Sequence, residues 1–172
     1  MEEKIILVDR QDNPIGTMPK LLLAHQQGRL HRAFSVFIFN TKGELLIQQR
    51  AAHKYHSAGQ WANSCCSHPR PNEDTLAAAK RRLMEELGFT TEISLVGHFV
   101  YHAEVNGGLI EHEYDHLFIG YYDGAVTPNR DEVSAIRWVL PSDLQTEIKN
   151  TPDQFTPWFK LIINKYPLLQ FK

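Results

Sequence analysis

The sequence predicts an α/β sandwich with a mixed β-sheet, built as a single domain over residues 1–172. Segments rich in β-forming residues are interrupted by one strongly patterned central helix and followed by a terminal helix, which is the element order of such a fold. The chain has 172 residues, 42% of them hydrophobic, which suffices for one well-packed core and is short for two ordinary domains. No internal repeat, low-complexity tract or linker divides it.

The N-terminal half of the chain contains the first predicted strands. Residues 11–14 are a turn cluster that can reverse the first strand into a hairpin, and residues 41–43 separate two strands expected to pair antiparallel. Lys20 to Gln27 has the composition of a helix. The segment Trp61–Cys66 is expected to be extended. The strands predicted in this half are Lys4–Asp9, Arg32–Asn40 and Glu44–Gln49.

The central helix is predicted over Glu73–Leu87. Asn72 is a good N-cap residue and Gly88 a natural stop at the C-terminus. The apolar residues of this segment recur at three- and four-residue steps, which directs one stripe toward a core. That stripe consists of Leu76, Ala79, Leu83 and Leu87.

The C-terminal half predicts two long strands, Ile93–Val105 and Leu109–Tyr122, joined by a hairpin turn at Asn106-Gly107-Gly108. Because side chains alternate along a strand, Glu111 and Glu113 share one face and His112 lies on the other. A further strand is predicted over Ala135–Leu140, a helix start at Pro141, and a last helix over Trp158–Lys165 with Thr156 as N-cap and Pro157 in its first turn.

Charge and cysteine usage exclude several classes of partner. Eighteen basic and 20 acidic residues give a net charge of −2, so there is no broad basic surface for nucleic acid. No apolar run approaches a membrane span, and no leader segment is apparent, so we expect a cytoplasmic protein without a membrane partner. The two cysteines, Cys65 and Cys66, are neighbours, which makes a disulfide between them geometrically poor and fits a reducing compartment.

The charges of the central helix admit two interpretations. Arg81 and Glu85, like Arg82 and Glu86, lie one turn apart, as they would on a solvated helix with ion pairs. The full spacing, from Glu73 through Arg81 to the Glu85-Glu86 pair and Gly88-Phe89, resembles the Nudix box, whose carboxylates hold a divalent metal against a diphosphate.

The match to the Nudix box has two departures. Ser67 stands where the box has glycine, and Arg82 where it has glutamate. The arginine removes a carboxylate on which the hydrolases of the family depend and adds a cation where a diphosphate could lie. Diphosphate binding is therefore favoured over hydrolysis.

Three further motifs, RLHRAFSVFIFN, NSCCSHP and EHE, lie in the order in which they occur in type I isopentenyl-diphosphate isomerases. The chain resembles that branch of the Nudix fold over nearly its whole length, from Gly16-Thr17 to the terminal FTPWF segment. The resemblance implies a Nudix-type α/β/α sandwich with a mixed sheet. It also implies a small isoprenoid diphosphate as substrate, isomerised without hydrolysis by a protein that we expect to be a monomer or a weak homodimer.

Isomerisation requires a proton to be placed on one end of an alkene and another removed two carbons away, with an acid and a base on opposite sides of the substrate and water excluded. Strand alternation allows only one of the two thiols to face the site, and the resemblance selects Cys66; Cys65 is expected to be a core residue. Glu113 is the candidate on the other side. By resemblance, Tyr101 hydrogen-bonds this glutamate and Trp158 offers its π face to the developing cation.

A metal site and a diphosphate site complete the expectation from the resemblance. The metal ligands would be His25, His31, His68, Glu111 and Glu113, a nitrogen and oxygen set that suits Mn²⁺, Zn²⁺ or Mg²⁺. Glu86 would hold a second ion, Mg²⁺, that arrives with the diphosphate, together with the backbone carbonyl of Cys66. Glu85 is expected to be structural. The cations that would bind the diphosphate are Lys20, Arg50, Lys54 and Arg82.

Two alternatives come from other classes of protein. One is a Nudix pyrophosphohydrolase acting on a nucleoside or isoprenoid diphosphate, against which Arg82 and Cys66 argue. The other is a non-catalytic module in which Cys65, Cys66 and His68 hold zinc. Neighbouring thiols lack the two-residue spacer usual in such sites, so this is the weakest of the three interpretations.

Overall fold

The structure is a computed structural model that describes residues 3–20, 27–54 and 56–166. Within those ranges, nine strands form one sheet and three helices pack on it. The strands are β1 (Lys4–Val8), β2 (Pro14–Pro19), β3 (His31–Phe39), β4 (Leu45–Arg50), β5 (Trp61–Ala62), β6 (Cys65–Ser67), β7 (Ile93–Val105), β8 (Leu109–Tyr121) and β9 (Val133–Val139). The helices are α1 (Thr75–Leu87), α2 (Pro141–Asn150) and α3 (Pro157–Lys165).

Strand β3 is the centre of the sheet. Along one edge it pairs parallel with β8, from His31 opposite Glu113 to Phe39 opposite Tyr121. Its other edge pairs antiparallel with β6 between Phe34 and Val36, and meets β1 and β4 at its two ends. The remaining pairings, β1–β2, β4–β5, β4–β9 and β7–β8, are antiparallel. The sheet is therefore mixed, as the sequence predicts.

The two faces of the sheet carry separate cores. Phe34, Val36 and Ile38 of β3 point to the face covered by α1, where they pack with Leu83 and Leu87. Alternate residues of the same strand point the other way, toward a core that includes α3 and Leu144 of α2. Period-two alternation in β3 thus supports a three-layer α/β/α sandwich, which confirms the predicted fold class.

Helix α1 begins two residues later than the sequence predicts. Asp74, in an extended conformation, accepts a hydrogen bond from the Ala77 amide and is the N-cap, whereas Asn72 has φ 64° and lies in the preceding turn. The prediction of Asn72 as the cap was wrong because both residue types suit both positions, and the left-handed backbone at residue 72 decides between them. Leu76, predicted to be in the apolar stripe, is 38% exposed.

Gly88 ends α1 in the left-handed conformation, with φ 74°, and its amide donates to the Met84 carbonyl at 3.0 Å. A Cβ at this position would lie 2.7 Å from the Thr127 carbonyl oxygen. We expect Gly88→Ala to lower the free energy of unfolding by more than the roughly 1–2 kcal/mol that positive φ costs an alanine, because the backbone of the following loop must also move. Urea denaturation measures this difference.

Gly43→Ala is the matched control for that substitution. Gly43 also has positive φ, 76°, but a Cβ there meets no atom within 4 Å. Its substitution carries the conformational cost without the clash. Equal losses of stability in the two variants would contradict the proposed role of the close approach to Thr127.

The other predicted elements agree with the structure within about two residues at each end. The helix expected from Lys20 to Gln27 falls mostly on residues 21–26, which lie outside the described residues. Thr156 precedes Pro157 at the start of α3 as expected, although its side chain makes no capping hydrogen bond. None of the helices in the described part of the chain is long and apolar enough to cross a membrane.

Candidate active site

One cleft collects most of the residues singled out in the sequence. It encloses about 720 Å³, including solvent at its mouth, and is lined by residues of β4, β6, β7 and β8, of α1 and of the start of α3. The residues that line it are Glu3, Lys20, Gln48, Arg50, Lys54, His56, Cys66, Ser67, His68, Arg82, Glu86, Tyr101, Glu111, Glu113, Glu132 and Trp158. His25 lies outside the described residues.

A buried cluster of imidazoles and carboxylates forms one wall of the cleft. Strand alternation places Glu111 and Glu113 on one face of β8, and the parallel pairing sets His31 opposite Glu113. The Nε2 atoms of His31 and His68 lie 3.2 and 2.7 Å from Glu113 Oε2, and His31 Nε2 lies 4.0 Å from Glu111 Oε2. Four residues from β3, β8 and the end of β6 therefore meet at one point.

The donor set of this cluster fits a divalent metal. One ligand atom from each of His31, His68, Glu111 and Glu113 lies within 4.8 Å of the others, and all four residues are buried. His31 Nδ1–H donates to the Arg29 carbonyl at 2.8 Å, which turns Nε2 toward the carboxylates, as imidazoles that bind metals are usually held. Mixed nitrogen and carboxylate ligation suits zinc or manganese and admits magnesium.

Protonation in the cluster follows from burial and from its hydrogen bonds. Burial and the neighbouring Glu111 act to raise the pKa of Glu113, but hydrogen bonds from His31 and His68 outweigh them, and the net shift is downward. Burial, and then the charge of Lys20, lower the pKa of His68 to about 3, so this ring is neutral. For His31, burial opposes protonation, yet the contact with Glu113 raises its pKa overall.

The two cysteines lie on opposite faces of the sheet, as strand alternation predicts. Cys65 is fully buried in the core under α1, and its thiol lies 3.2 Å from Glu86 Oε2, to which it donates. Cys66 is partly buried and lines the cleft. Burial raises the pKa of the Cys66 thiol to about 12 against the opposing effect of Arg50. Because the thiols diverge, they cannot hold one zinc ion together with His68.

Two aromatic side chains face the same space. The Tyr101 hydroxyl donates a short hydrogen bond to Glu113 Oε1. Trp158, 4% exposed in the first turn of α3, lies against the Arg50 guanidinium, whose Cζ is 5.2 Å from the indole centroid. Both residues are where the sequence analysis expects them.

Four cations line the cleft, and several of them already have acidic partners. Arg82 lies 2.6 Å from Glu132, 2.6 Å from Glu85 and 3.1 Å from Glu86. Burial opposes its charge, but Glu86 and Glu132 raise the pKa of Arg82 overall. Lys54 Nζ is 3.6 Å from Glu132. The other two are Lys20, 4.0 Å from Glu3, and Arg50, whose Nη2 donates to the His56 carbonyl at 3.3 Å.

Glu85 and Glu86, adjacent in α1, differ in exposure and in hydrogen-bond partners. Glu86 is 5% exposed, and its carboxylate accepts hydrogen bonds from the Gln48 amide at 3.0 Å and from the Cys65 thiol. The side chain of Glu85 is 36% exposed and makes ion pairs with Arg81 and Arg82. Glu85 is thus tied into the ion pairs of the helix surface, whereas Glu86 faces the cleft.

Gln48, His56 and Glu132 line the cleft although the sequence assigns them no role. Gln48 orients Glu86, Glu132 links Arg82 with Lys54, and His56 Nε2 lies 2.9 Å from Glu111 Oε1. Gln48 and Glu132 carry no sequence signal, because a glutamine in a strand and a glutamate in a polar loop are ordinary. His56 lies two residues after Lys54 in the loop that follows β4, and this closeness to a residue expected at the diphosphate is its signal in the sequence. His112, on the opposite face of β8, donates from Nδ1 to the Gly28 carbonyl at 2.9 Å, in agreement with its predicted exclusion from the ligands.

The fold and the box helix define the class of protein. The NUDIX domain model matches residues 29–159, and the chain belongs to that family. The crystal structure of DR0079 from Deinococcus radiodurans has the same fold, with a TM-score of 0.77 and 18% identity over 95% of this chain and 99% of that one.

Within that family the chain belongs to the isopentenyl-diphosphate isomerases. It is 55% identical to isopentenyl-diphosphate Delta-isomerase 2 of Photorhabdus laumondii, over 95% of this chain and 92% of the relative. It is 52% identical to isopentenyl-diphosphate Delta-isomerase of Serratia proteamaculans, over 95% of this chain and 90% of the relative.

Proposed function

We propose that this protein interconverts isopentenyl diphosphate and dimethylallyl diphosphate, with Cys66 and Glu113 as the acid-base pair. The observation that carries the proposal is that a thiol and a metal-binding cluster share one cleft, in which the Nudix box helix presents Arg82 rather than a glutamate. The Photorhabdus and Serratia relatives, named as isomerases of this substrate, support the reaction.

The two reacting groups come from strands on opposite edges of β3. Cys66 lies in β6, opposite Ser35, and Glu113 lies in β8, opposite His31. This placement supports an acid and a base on two sides of the substrate, as a 1,3-proton shift requires. Cys66 Sγ holds its proton, whereas Glu113 is ionised and accepts hydrogen bonds from His31, His68 and Tyr101.

Two groups of residues would hold divalent cations. His31, His68, Glu111 and Glu113 would hold one, with His25 as a further ligand, and Glu86 would hold a Mg²⁺ that accompanies the diphosphate. When bound, these ions supply positive charge that fixes the carboxylates and neutralises the diphosphate. Gln48 and Cys65 orient Glu86 for this task through the hydrogen bonds described above.

The cationic end of the cleft would bind the diphosphate through Lys20, Arg50, Lys54 and Arg82. Arginine can hold two phosphate oxygens at once, and lysine provides a point charge. The hydrocarbon end would then lie near Cys66 and the indole of Trp158, whose π face stabilises a carbocation. Burial of these side chains excludes water, which would otherwise capture that cation.

Incubation with isopentenyl diphosphate and a divalent metal in heavy water tests the reaction. We expect deuterium to enter the five-carbon unit while the diphosphate stays intact, because the proton that is added comes from groups in exchange with solvent. Mass spectrometry of the organic product measures the deuterium, and a phosphate assay measures hydrolysis. Release of phosphate or pyrophosphate without exchange supports the hydrolase. If neither deuterium exchange nor phosphate release is observed, the result supports a non-catalytic binding module.

A further inference from the structure

His56 is the buried imidazole of the cleft that the proposed chemistry does not use. It lies between β4 and β5, is 3% exposed and contacts three parts of the site. Its Nε2 lies 2.9 Å from Glu111 Oε1, its ring packs edge-on against Trp158 at 5.8 Å and 83°, and its carbonyl accepts from Arg50. One residue thus touches the metal cluster, the aromatic wall and a cation of the diphosphate site.

The contact with Glu111 has a defined direction. A carboxylate oxygen accepts, so His56 Nε2 carries the hydrogen, and Nδ1, 3.3 Å from Ser57 Oγ, can accept from that hydroxyl. Ser57 is itself 2% exposed and has φ 53°. A hydrogen on Nε2 of His56 therefore suits the Glu111 carboxylate, and Nδ1 suits the Ser57 hydroxyl.

The contact with His56 gives the two carboxylate oxygens of Glu111 different surroundings. Oε1 is engaged by His56, and Oε2 faces His31 Nε2 at 4.0 Å inside the metal cluster. A carboxylate held in this way presents one chosen oxygen to a cation and keeps its plane fixed before the cation arrives. Partners of this kind orient metal ligands, and their loss usually lowers metal affinity 10–100-fold.

The contact between the rings of His56 and Trp158 lies on the other side of the cleft from the metal cluster. The edge of His56 and the guanidinium of Arg50 both pack against Trp158, whose indole lies in the cleft. Edge-to-face contacts between rings favour one relative orientation by about 0.5–1.5 kcal/mol. Through this contact, His56 constrains the plane of the indole.

We propose that His56 is a positioning residue that sets the coordinating oxygen of Glu111 through its Nε2–H and the orientation of Trp158 through the contact between the two rings. The inference rests on the proposed function, because it takes Glu111 as a metal ligand. The two roles use different parts of the side chain. They can therefore be separated by two substitutions that each keep one of them.

His56→Gln keeps a side-chain amide that can donate to Glu111, and His56→Phe keeps a ring against Trp158. Affinity for Mn²⁺ or Zn²⁺ is measured by chelator competition on protein shown to be folded by circular dichroism, and kcat is measured at saturating metal. We expect His56→Phe to bind metal 10–100-fold more weakly. We expect His56→Gln to bind as wild type does and to lose kcat by about 2–10-fold.

A cycle with Glu111→Ala tests whether His56 acts through that side chain. Once both oxygens of residue 111 are gone, adding His56→Phe is expected to leave metal affinity unchanged, since the contact between the two side chains has already been removed. Fully additive losses, or metal binding by His56→Phe as tight as by wild type, would overturn the inference while leaving the proposed function intact. A wild-type protein that binds no divalent metal would overturn both.

Discussion

Replacing Cys66 with alanine is expected to lower the rate of isomerisation and of deuterium exchange by about 10²–10⁴-fold, the usual contribution of a positioned acid or base. Metal binding is expected to survive, because Cys66 is not part of the cluster formed by His31, His68, Glu111 and Glu113. The measurement pairs the heavy-water assay with a Mn²⁺ or Zn²⁺ titration of the same protein. Together the two measurements distinguish the loss of a proton-transfer group, which leaves metal binding intact, from a loss of the site's structure, which does not.

Cys65→Ala is the matched control for this substitution. It removes the same thiol one position earlier, from the face of the sheet covered by α1. Cys65 is fully buried and donates to Glu86, so its loss is expected to reduce stability and to weaken Mg²⁺-dependent diphosphate binding, while exchange at saturating Mg²⁺ continues. Equal activity of Cys66→Ala and wild type would remove Cys66 from the mechanism.

The parts of the site that the sequence predicts correctly depend on local geometry. Alternation along β8 suffices to place Glu111 and Glu113 together, and alternation along β6 suffices to separate Cys65 from Cys66. Each of these conclusions needs only the period of one element, which a sequence displays directly.

What the sequence does not reveal depends on contacts between distant segments. Glu132 reaches Arg82 across 50 positions, and Gln48 reaches Glu86 across 38, with no motif to mark either pair. His56 meets Glu111 only because the loop after β4 folds over the end of β8. His31, His68 and Glu113 also come from distant segments. Their convergence was predicted by the resemblance of several motifs to those of the isopentenyl-diphosphate isomerases, and not by the spacing of the residues.

The start of α1 shows that the residue preference for helix N-caps does not by itself locate the cap. Asn72 and Asp74 are both good caps, so residue preference alone cannot choose between them. Glu73, between them, accepts from the Arg70 amide and pairs with Arg81 at 2.7 Å, eight residues further on. In the turn before the helix, Asn72 has φ 64°, and Asp74 caps the helix by accepting from the Ala77 amide.

Glu113→Gln is expected to lose isomerisation and most of its metal affinity, because Glu113 is assigned as a ligand and as an acid-base group. Loss of a ligand should weaken metal affinity by more than the roughly 10–100-fold that follows loss of an outer partner. The glutamine oxygen can still accept from His31 or His68, so the fold should survive. The metal titration and the heavy-water assay are performed on the same preparation. In the heavy-water assay, the metal concentration is raised to saturation.

Asp115→Asn controls for the loss of a buried carboxyl two residues along β8. Asp115 is fully buried and accepts a hydrogen bond from Ser35 Oγ at 2.7 Å. Burial and the nearby Glu113 raise the pKa of Asp115 well above its usual value, which favours a neutral side chain of the kind that an amide supplies. We expect Asp115→Asn to keep metal affinity and activity close to those of wild type.

Glu111→Gln distinguishes the two roles assigned to Glu113. As a ligand only, Glu111 should lose metal affinity when changed, and its variant should regain isomerisation when metal is raised to saturation. The Glu113→Gln variant should stay inactive under the same conditions, since excess metal restores ligation but not the missing carboxylate beside Tyr101. Recovery of both variants at high metal would reduce Glu113 to a ligand, and the second proton-transfer group would then have to be sought elsewhere in the cleft.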